Sequence, residues 1–398
     1  MNPILGSALP RVGLIGISGY GNVHLQLVRY GRDRGELVIV AATVINPDEV
    51  PAEVADLRAH GTEIFSDYEA MLATHAGRLD LCLVPTGIHW HARMTIAALQ
   101  VGANVLVEKP LSGVMSEVIA VQQAEQASGR FVAVGFQDYY EAGTSWLKQA
   151  LLDGAIGQVE TVRFCGMWPR RREYFQRNSW AGRLRQGTVD VFDSPLSNAF
   201  AHFAMLSLYF AGQTLPGVAE ATLLDGELFR AHEIETFDTG VIRLRTPDAI
   251  NMWFGVTHAC TTAMEPEIVI SGTNGSAGWR YEKEAWWSGR DGVIRRFDLP
   301  SAHGARQAMM DTVVRRLVDP AAAICTTQIA AQHTRLIEAI HAQLPIRQFP
   351  AEDVIWRGEG SQGIPEVTGL EAALRTAYGH GGLLESVEFK TEFSVNGS

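Results

Sequence analysis

The segment Glu108-Lys109-Pro110 contains residue types that could carry proton chemistry in this chain. It follows a short apolar run with the composition of a buried strand, and open α/β sheets bind ligands at the carboxyl ends of such strands. A lysine ammonium at that edge donates hydrogen bonds to a developing alkoxide and can exchange a proton with it. Three such residues alone favour a surface ion pair before a turn, so the catalytic interpretation depends on the elements around them.

A glycine-rich turn follows the first apolar run and precedes a helical pattern. It fits a Gly-x-Ser-x-x-Gly form of the dinucleotide fingerprint, in which Ser18 occupies the second glycine position. Small residues permit a tight turn and let backbone N–H groups approach a pyrophosphate at a helix N-terminus. We therefore expect a dinucleotide to bind at Gly16, Ser18, Gly19, Tyr20 and Gly21.

The second predicted strand leads to Asn46, where domains that select NAD usually have an acidic residue for the ribose hydroxyls. Asn46 can hydrogen bond a ribose hydroxyl and does not repel a 2'-phosphate, but the next cation along the chain is Arg58. Asp48 is an alternative ribose ligand. The sequence predicts NAD or NADP as cofactor and leaves the choice open.

Strands and helices alternate in the first third of the chain, which predicts an α/β Rossmann domain over residues 1–136. The predicted strands are Val12–Ile17, Leu37–Ile45, Leu81–Pro85, Asn104–Glu108 and Phe131–Phe136. The predicted helices between them are Ala92–Val101 and Val114–Ala127, each followed by a glycine stop signal.

The pattern changes after residue 136, which predicts a second, α+β domain over residues 137–398. One helix, Ser145–Leu152, comes before a series of strands without helices between them, which is typical of an antiparallel sheet. The predicted strands are Val159–Met167, Thr239–Leu244, Ile250–Val256 and Glu267–Ser271. Helical patterns return at Ala305–Val318 and Thr327–Leu344.

Composition narrows the partners of this chain to small molecules. The 398 residues carry a net charge of -11 and have no basic run, which argues against nucleic acids and anionic membranes. No N-terminal targeting pattern or membrane-length apolar stretch is present, so we expect a cytoplasmic protein. The cysteines lack paired spacing, which favours neither a disulfide framework nor a metal site: Cys82, Cys165, Cys260 and Cys325.

Together with Pro85-Thr86, His91 and Ala98-Leu99, the segment Glu108-Lys109-Pro110 resembles the glucose-fructose oxidoreductase, inositol dehydrogenase and MocA (Gfo/Idh/MocA) superfamily. The resemblance covers the N-terminal domain and continues less closely through the second. It implies a large open, mainly antiparallel sheet that binds substrate and forms a homodimer or homotetramer.

The resemblance also implies an activity and assigns residues to it. Family members oxidise or reduce a hydroxyl carbon of a sugar, cyclitol or related polyol with NAD(P). Lys109 then lies between nicotinamide and substrate. Pro85, Thr86, His91 and Glu108 belong to the cofactor site.

His202 matches the catalytic histidine of the family, because it opens an apolar helix that closes at Phe210-Ala211-Gly212. We expect it to act as the base in oxidation and the acid in reduction. Inositol-type dehydrogenases have an aspartate where this chain has Asn198, and another acidic position is replaced around Met205. Asp193, in the preceding loop, is a candidate for the missing charge.

Aromatic and arginine residues alternate from Trp168 to Arg183, after the first strand of the second domain. Rings stack on the C–H face of a polyol, and guanidinium groups bind hydroxyls or the carboxylate of a sugar acid. We select Tyr174, Arg177 and Trp180 as substrate residues, together with Asp193 and Asn198. His258 is either a further pocket residue or a structural histidine at a strand edge.

Two other functions are compatible with these patterns. Some relatives use bound NAD for transient oxidation and cleave a glycosidic bond by elimination. A dinucleotide sensor without catalysis would also explain Asn198 in place of the aspartate.

Overall fold

The computed structural model describes residues 9–384, which form two compact units. The first unit comprises residues 9–141 and Ala302–Ala331, and the second comprises Ala142–Ser301 and residues 332–384. The first part of the chain contains β1 (Arg11–Ile15), α1 (Gly21–Asp33), β2 (Val38–Thr43), α2 (Pro51–Ala59), β3 (Glu63–Phe65), α3 (Tyr68–Thr74), β4 (Leu81–Val84), α4 (Ile88–Gln100), β5 (Asn104–Val107), α5 (Met115–Ser128) and β6 (Val132–Val134).

The elements that follow are α6 (Ala142–Leu152), β7 (Val159–Met167), α7 (Arg172–Gln176), β8 (Arg185–Gln186), β9 (Val189–Asp190), α8 (Ala201–Ala211), β10 (Thr222–Arg230), β11 (Thr239–Arg245), β12 (Asn251–Thr257), β13 (Met264–Gly272), β14 (Gly275–Arg280), β15 (Glu284–Ser288), β16 (Ile294–Asp298), α9 (Ala302–Arg316), α10 (Thr327–Gln343), β17 (Ile346–Gln348), β18 (Val354–Arg357), β19 (Ile364–Val367) and α11 (Leu370–His380). Residues 385–398, at the end of the second predicted domain, lie outside the described part of the chain.

The first unit is built on six parallel strands in the order β3-β2-β1-β4-β5-β6. The central strand β4 is fully buried and apolar, and β5 is buried and apolar after Asn104, as expected for a sheet covered on both faces. The strand order reverses between β1 and β4, and ligands bind at such a switch point in open α/β sheets. The predicted Rossmann fold is confirmed.

The predicted strands of this sheet run one or two residues past the observed ends. Ile17, Ile45, Pro85 and Glu108 all lie in the loops that follow their strands. The short strand β3 was not predicted, because its three residues include the exposed Glu63. The overrun of β1 and β2 has a physical reason, because the apolar residues Ile17 and Ile45 follow these strands and continue their sequence pattern into the loops.

The chain returns to the first unit through α9, although the sequence assigned everything after residue 136 to the second domain. Met309, Met310 and Val313 of α9 join the core that contains Leu27 and Val28 of α1. An apolar helical face indicates burial but not which core buries it. The boundary at residue 136 therefore omitted this segment.

The second unit is built on nine strands in the order β16-β15-β14-β13-β7-β12-β11-β10-β17. The pairs β7–β12 and β10–β17 are parallel and the remaining pairs are antiparallel. Neighbouring residues of β7 point to opposite faces, so Phe164 packs on Phe203 of α8 whereas Arg163 reaches Gly379 of α11. The predicted large, mainly antiparallel sheet is confirmed.

Candidate active site

The glycine turn after β1 has the shape that a dinucleotide fingerprint requires. Gly16 and Gly19 have φ angles of 90° and 55°, in the left-handed region that favours glycine. A Cβ at Gly21 would lie 2.6 Å from the carbonyl oxygen of Gly16, so no other residue fits there without a backbone shift. The turn therefore brings the start of α1 close to the end of β1. The first turn of α1 has no acidic residue, which leaves its N-terminus favourable for a pyrophosphate.

A cation from α9 lies beside this turn. The charge of Arg306 acts on Tyr20, and its Nε donates to Oε1 of Gln137 at 3.2 Å. The sequence did not point to Arg306, because the arginine lies in the segment that returns to the first unit late in the chain.

Glu108 points into the protein and binds His24 of α1. His24 Nε2 lies 2.8 Å from Oε1 of Glu108, and both side chains are buried. The other carboxylate oxygen accepts the backbone N–H of Lys109 at 3.1 Å. A Cβ at Gly135 would lie 2.9 Å from Oε1, so glycine is needed beside this carboxylate. Glu108 thus links α1 to the loop that carries Lys109, and His24 is a site residue that the sequence did not single out.

His91 of α4 holds two loops of the same sheet edge together. Its Nδ1 lies 2.7 Å from the carbonyl oxygen of Pro110, and its Nε2 lies 3.0 Å from that of Thr86. Burial lowers the pKa of this histidine, and the two carbonyls oppose that shift. Both ring nitrogens face the backbone, so His91 positions the loops after β4 and β5.

The remaining predicted residues of the first unit lie on the loops that follow β2, β4 and β5. Lys109 is half-buried and follows β5, and a cis peptide bond joins it to Pro110. Pro85 lies next to Gly21, with its Cγ 3.8 Å from the position of a Cβ there. Asn46 is exposed and donates from its amide to Oε1 of Glu49 at 2.9 Å.

In the second unit, Phe200 sets the position of His202. Phe200 precedes α8 and stacks on Trp168, with ring centroids 4.8 Å apart, and on His258, at 5.2 Å. Trp168 follows β7 and His258 follows β12, which are paired parallel strands. The N-terminal end of α8, with His202, therefore lies at the carboxyl ends of these two strands.

Asp193 is buried and organises the loop before α8. Its Oδ1 accepts the side-chain amide of Asn198 at 2.8 Å, and its Oδ2 accepts the backbone N–H of Gly182 at 2.7 Å. Arg177 lies 3.8 Å from the same Oδ2. Phe192, just before Asp193, has a φ of 44°, a strained value for a bulky residue. The carboxylate of Asp193 therefore holds the side-chain amide of Asn198 from the preceding loop.

The predicted substrate residues form one contact cluster. Arg177 lies over Tyr174, at 3.9 Å from the ring centroid, and over Trp180, at 5.4 Å. The ring of Tyr174 is 6.0 Å from that of His258. Arg170, which the sequence did not select, lies 4.5 Å from the centroid of Tyr174. The aromatic and arginine segment therefore folds against the same strand ends as Phe200.

His258 is a neutral, buried member of this cluster. Its Nδ1 lies 2.8 Å from the carbonyl oxygen of Trp168, so it carries the proton of the neutral ring. Burial, together with the charge of Arg170, lowers the pKa of His258 to about 3. A second buried histidine, His232, pairs with Asp238 at 2.7 Å and was not predicted.

Lys148 holds the other end of α8. This lysine is fully buried, and its ammonium donates to the carbonyl oxygens of Tyr209 and Gly212. Cations at a helix C-terminus are favourable, but burial lowers the pKa of Lys148 to about 7. The helix that begins near His202 is therefore fixed at its far end by a buried titratable group.

Neither a metal cluster nor a membrane helix is found in the part of the chain that the structure describes. Across residues 9–384, no group of three histidine, cysteine, aspartate or glutamate side chains could hold a metal ion. No helix there combines the length and apolar character needed to cross a membrane. The four cysteines are buried free thiols.

Comparison with known proteins gives matches over both units. Residues 10–136 match the Gfo/Idh/MocA model, described as an oxidoreductase family with an NAD-binding Rossmann fold. An inositol 2-dehydrogenase/D-chiro-inositol 3-dehydrogenase of Shouchella clausii is 30% identical over 260 residues, which cover 65% of this chain and 71% of the relative. Further inositol 2-dehydrogenases align over less than half of their own length.

Solved structures share the fold over most of the chain. The WlbA dehydrogenase of Bordetella pertussis, in complex with NADH and UDP-GlcNAcA, has a TM-score of 0.67 and 22% identity over 84% of this chain and 96% of its own. The 3-ketoreductase KijD10 of Actinomadura kijaniata, in complex with NADP and TDP-benzene, has a TM-score of 0.68 and 15% identity over 86% and 100%. At these identities the likeness establishes the fold.

Proposed function

We propose that this chain, which belongs to the Gfo/Idh/MocA family of NAD-binding oxidoreductases, transfers hydride between a nicotinamide dinucleotide and a carbinol carbon of a sugar, cyclitol or related polyol. The observation that carries the proposal is the position of Lys109. The buried His24–Glu108 pair holds its loop at the same sheet edge as the glycine turn. The inositol dehydrogenases among the relatives support a polyol as substrate.

The residues of the first unit fit a dinucleotide. Gly16, Gly19 and Gly21 have no side chains and so leave room for a dinucleotide beside the backbone. The first turn of α1 contains no acidic residue that would repel its phosphates. Asn46 would then hydrogen bond the ribose of the cofactor, and Thr86 would belong to the cofactor site. A bound nicotinamide supplies the hydride acceptor, or the hydride donor in the reverse direction.

In this proposal Lys109 and His202 handle the proton of the substrate hydroxyl. The ammonium of Lys109 donates a hydrogen bond to the oxygen and stabilises the negative charge that grows on it as hydride leaves. His202 takes the hydroxyl proton in oxidation and returns it in reduction. Asn198 cannot carry the charge of an aspartate, and Asp193 fixes its amide from behind. In this chain the carboxylate near His202 therefore belongs to Asp193 of the preceding loop, which orients the amide of Asn198.

The test is to separate turnover from cofactor binding. We expect Lys109→Met and His202→Ala each to lower turnover of myo-inositol, or of the best polyol in a screen, by about a hundredfold or more. The dissociation constant for NADH or NADPH, measured by fluorescence titration, should change by less than about threefold, because neither group is the main contact of the dinucleotide. Lys283→Met, an exposed lysine of the second unit, is the control and should match the parent protein.

Two results would contradict this assignment. Unchanged turnover in either variant removes that residue from the proton chemistry. Binding of a dinucleotide without turnover of any polyol, by the parent protein, would instead favour the sensor function.

We also propose that copies of the chain assemble through the nine-stranded sheet as a homodimer or homotetramer, and that the enzyme works in the cytoplasm. A native mass measurement of the purified protein tests the assembly, because a monomeric mass contradicts it. The same measurement identifies any dinucleotide that remains bound.

A further inference from the structure

We propose that the substrate carries an anionic group, most simply a carboxylate, and that Arg170 binds it. The substrate class is then a sugar acid or another acidic polyol. This inference rests on the proposed function, because it concerns the substrate of the same site.

In the described part of the chain, Arg170 has no carboxylate counterion, unlike several other arginines of the second unit. Carboxylates pair there with Arg243, Arg280, Arg295 and Arg296. Across residues 9–384, no carboxylate oxygen lies within ion-pair distance of the Arg170 guanidinium, and its Nε is buried without an acceptor. A buried donor on a charged group costs free energy unless an acceptor satisfies it. An anionic ligand group would supply that acceptor.

The nearby acids of the protein are already engaged. Asp238 is fully buried and accepts the backbone N–H groups of Ala231 and His232, the ring of His232 and the hydroxyl of Thr239. Asp193 accepts from Gly182 and Asn198, as described above. Neither carboxylate is therefore available to turn toward Arg170.

The guanidinium is held in place before any ligand binds. The ring centroids of Tyr174 and Trp168 lie 4.5 Å and 5.6 Å from its Cζ. Its backbone is fixed as well, since the Arg170 N–H donates to the His258 carbonyl at 3.2 Å and its own carbonyl faces Nε2 of His232 at 3.1 Å. A planar guanidinium that is already oriented loses little conformational entropy when it binds a carboxylate with two hydrogen bonds.

Arg170 also lies within the cluster that the other substrate residues form. It shares Tyr174 with Arg177, and its charge acts on His258. Arg172 offers a contrast, because it lies outside this group and stacks 3.7 Å from the ring centroid of Trp356. The two arginines are close in sequence but have different surroundings, so Arg172 is a matched control.

The experiment compares acids with their neutral partners. Uronic and aldonic acids are each paired with the aldose or alditol of the same carbon skeleton, and kcat/KM is measured with NAD and with NADP. We expect at least one acid to exceed its neutral partner by about tenfold. Arg170→Gln should lower that acid-to-neutral ratio by about tenfold or more, mainly through KM, and Arg170→Lys should restore part of it. Arg172→Gln should leave the ratio unchanged.

A second measurement keeps binding separate from chemistry. Titration calorimetry of the same acids, with NADH present, should give a binding signal for the parent protein and a weaker one for Arg170→Gln. Far-UV circular dichroism and urea unfolding check that Arg170→Gln is folded. If it is not folded, the acid-to-neutral ratio of Arg170→Lys replaces it as the test.

The outcomes are distinguishable. An equal loss for acid and neutral partner in Arg170→Gln overturns the proposal, as does a parent protein that prefers the neutral partner. A panel that gives neither binding nor turnover of any acid also overturns it. Acid binding that depends on Arg170 but produces no NADH supports the anion site and contradicts the proposed oxidoreductase activity.

Discussion

The two units build their sites in different ways. The cofactor turn of the first unit depends on backbone geometry within a few consecutive residues, where Gly16 and Gly21 touch. The cluster of the second unit depends on side chains from separate segments, as in the contact of Phe200 with both Trp168 and His258. A backbone site is encoded locally and tolerates little change at the glycines. A side-chain site depends on buried polar contacts, so its weak points are charges and their protonation.

The largest effect is expected at Asp193, a buried carboxylate of the second unit that accepts hydrogen bonds from Gly182 and Asn198. Asp193→Ala leaves the N–H of Gly182 and the amide of Asn198 without their acceptor, and we expect it to lower the free energy of unfolding by about 4 kcal/mol. Urea unfolding at neutral pH measures this. Asp190→Ala breaks the exposed pair with Arg185 and should cost about 1 kcal/mol or less. If both variants lose the same small amount, the second site does not depend on its buried carboxylate.

The next largest effect is a pH dependence of the free energy of unfolding, caused by Lys148 in the second unit. Burial lowers the pKa of this lysine from 10.5 to about 7 in the folded protein. Between these values the unfolded chain binds more protons, so stability rises with pH by roughly 1.4 kcal/mol per pH unit. The unfolding free energy of the parent protein, minus that of Lys148→Met, should therefore increase by about 3 kcal/mol between about pH 7 and about pH 9.5.

Lys283→Met gives the matched control for this pH series, because Lys283 is exposed. Its difference from the parent protein should be nearly constant with pH. A flat difference for Lys148→Met as well would mean that the buried ammonium keeps its ordinary pKa.

The same contrast explains what the sequence could predict. The Rossmann fold, the glycine turn and the position of Lys109 follow from strand runs and glycine spacing, which are local signals. The His24–Glu108 pair joins a helix and a loop from different parts of the sheet, so no local pattern announces it. The selection of Tyr174, Arg177 and Trp180 relied on composition, and it omitted Arg170 in the same segment because only the fold distinguishes a paired arginine from an unpaired one.

The return of α9 to the first unit could not be predicted for a similar reason. Its apolar residues indicate a buried face, but their partners on α1 lie far away in the sequence. The predicted family resemblance was confirmed by the match over residues 10–136 together with the inositol dehydrogenase of Shouchella clausii, whereas the roles of individual side chains stay predictions.

A smaller effect is expected when the usual aspartate is restored. Asn198→Asp places a carboxylate 2.8 Å from Oδ1 of Asp193, where an amide now donates. Two like charges at this distance raise the pKa of one carboxyl group, so stability is present at low pH and lost as pH rises through the raised value. We expect the variant to match the parent protein near pH 4 and to be about 2 kcal/mol less stable near pH 8.

Asn46→Asp is the control for that substitution, and it lies in the first unit. The amide of Asn46 donates to Glu49 over a similar distance, 2.9 Å, so the substitution also brings two carboxylates together, but both residues are exposed. Solvent screens like charges there, so stability should change by only about 0.5 kcal/mol. Higher turnover and unchanged stability in Asn198→Asp would show that Asp193 does not replace the aspartate that inositol-type dehydrogenases have at position 198.

The smallest effect concerns the backbone site itself. Gly21→Ala forces the first turn of α1 away from the carbonyl of Gly16, because its Cβ would lie 2.6 Å from that oxygen. We expect the dissociation constant for NADH or NADPH to rise by about tenfold, which corresponds to about 1.4 kcal/mol. Gly379→Ala, in α11, meets no atom within 4 Å and should leave cofactor binding unchanged while it slightly stabilises the helix. Equal cofactor affinity in the two variants would mean that the turn adjusts to a side chain, and the contrast between a rigid backbone site and a pH-sensitive side-chain site would not hold.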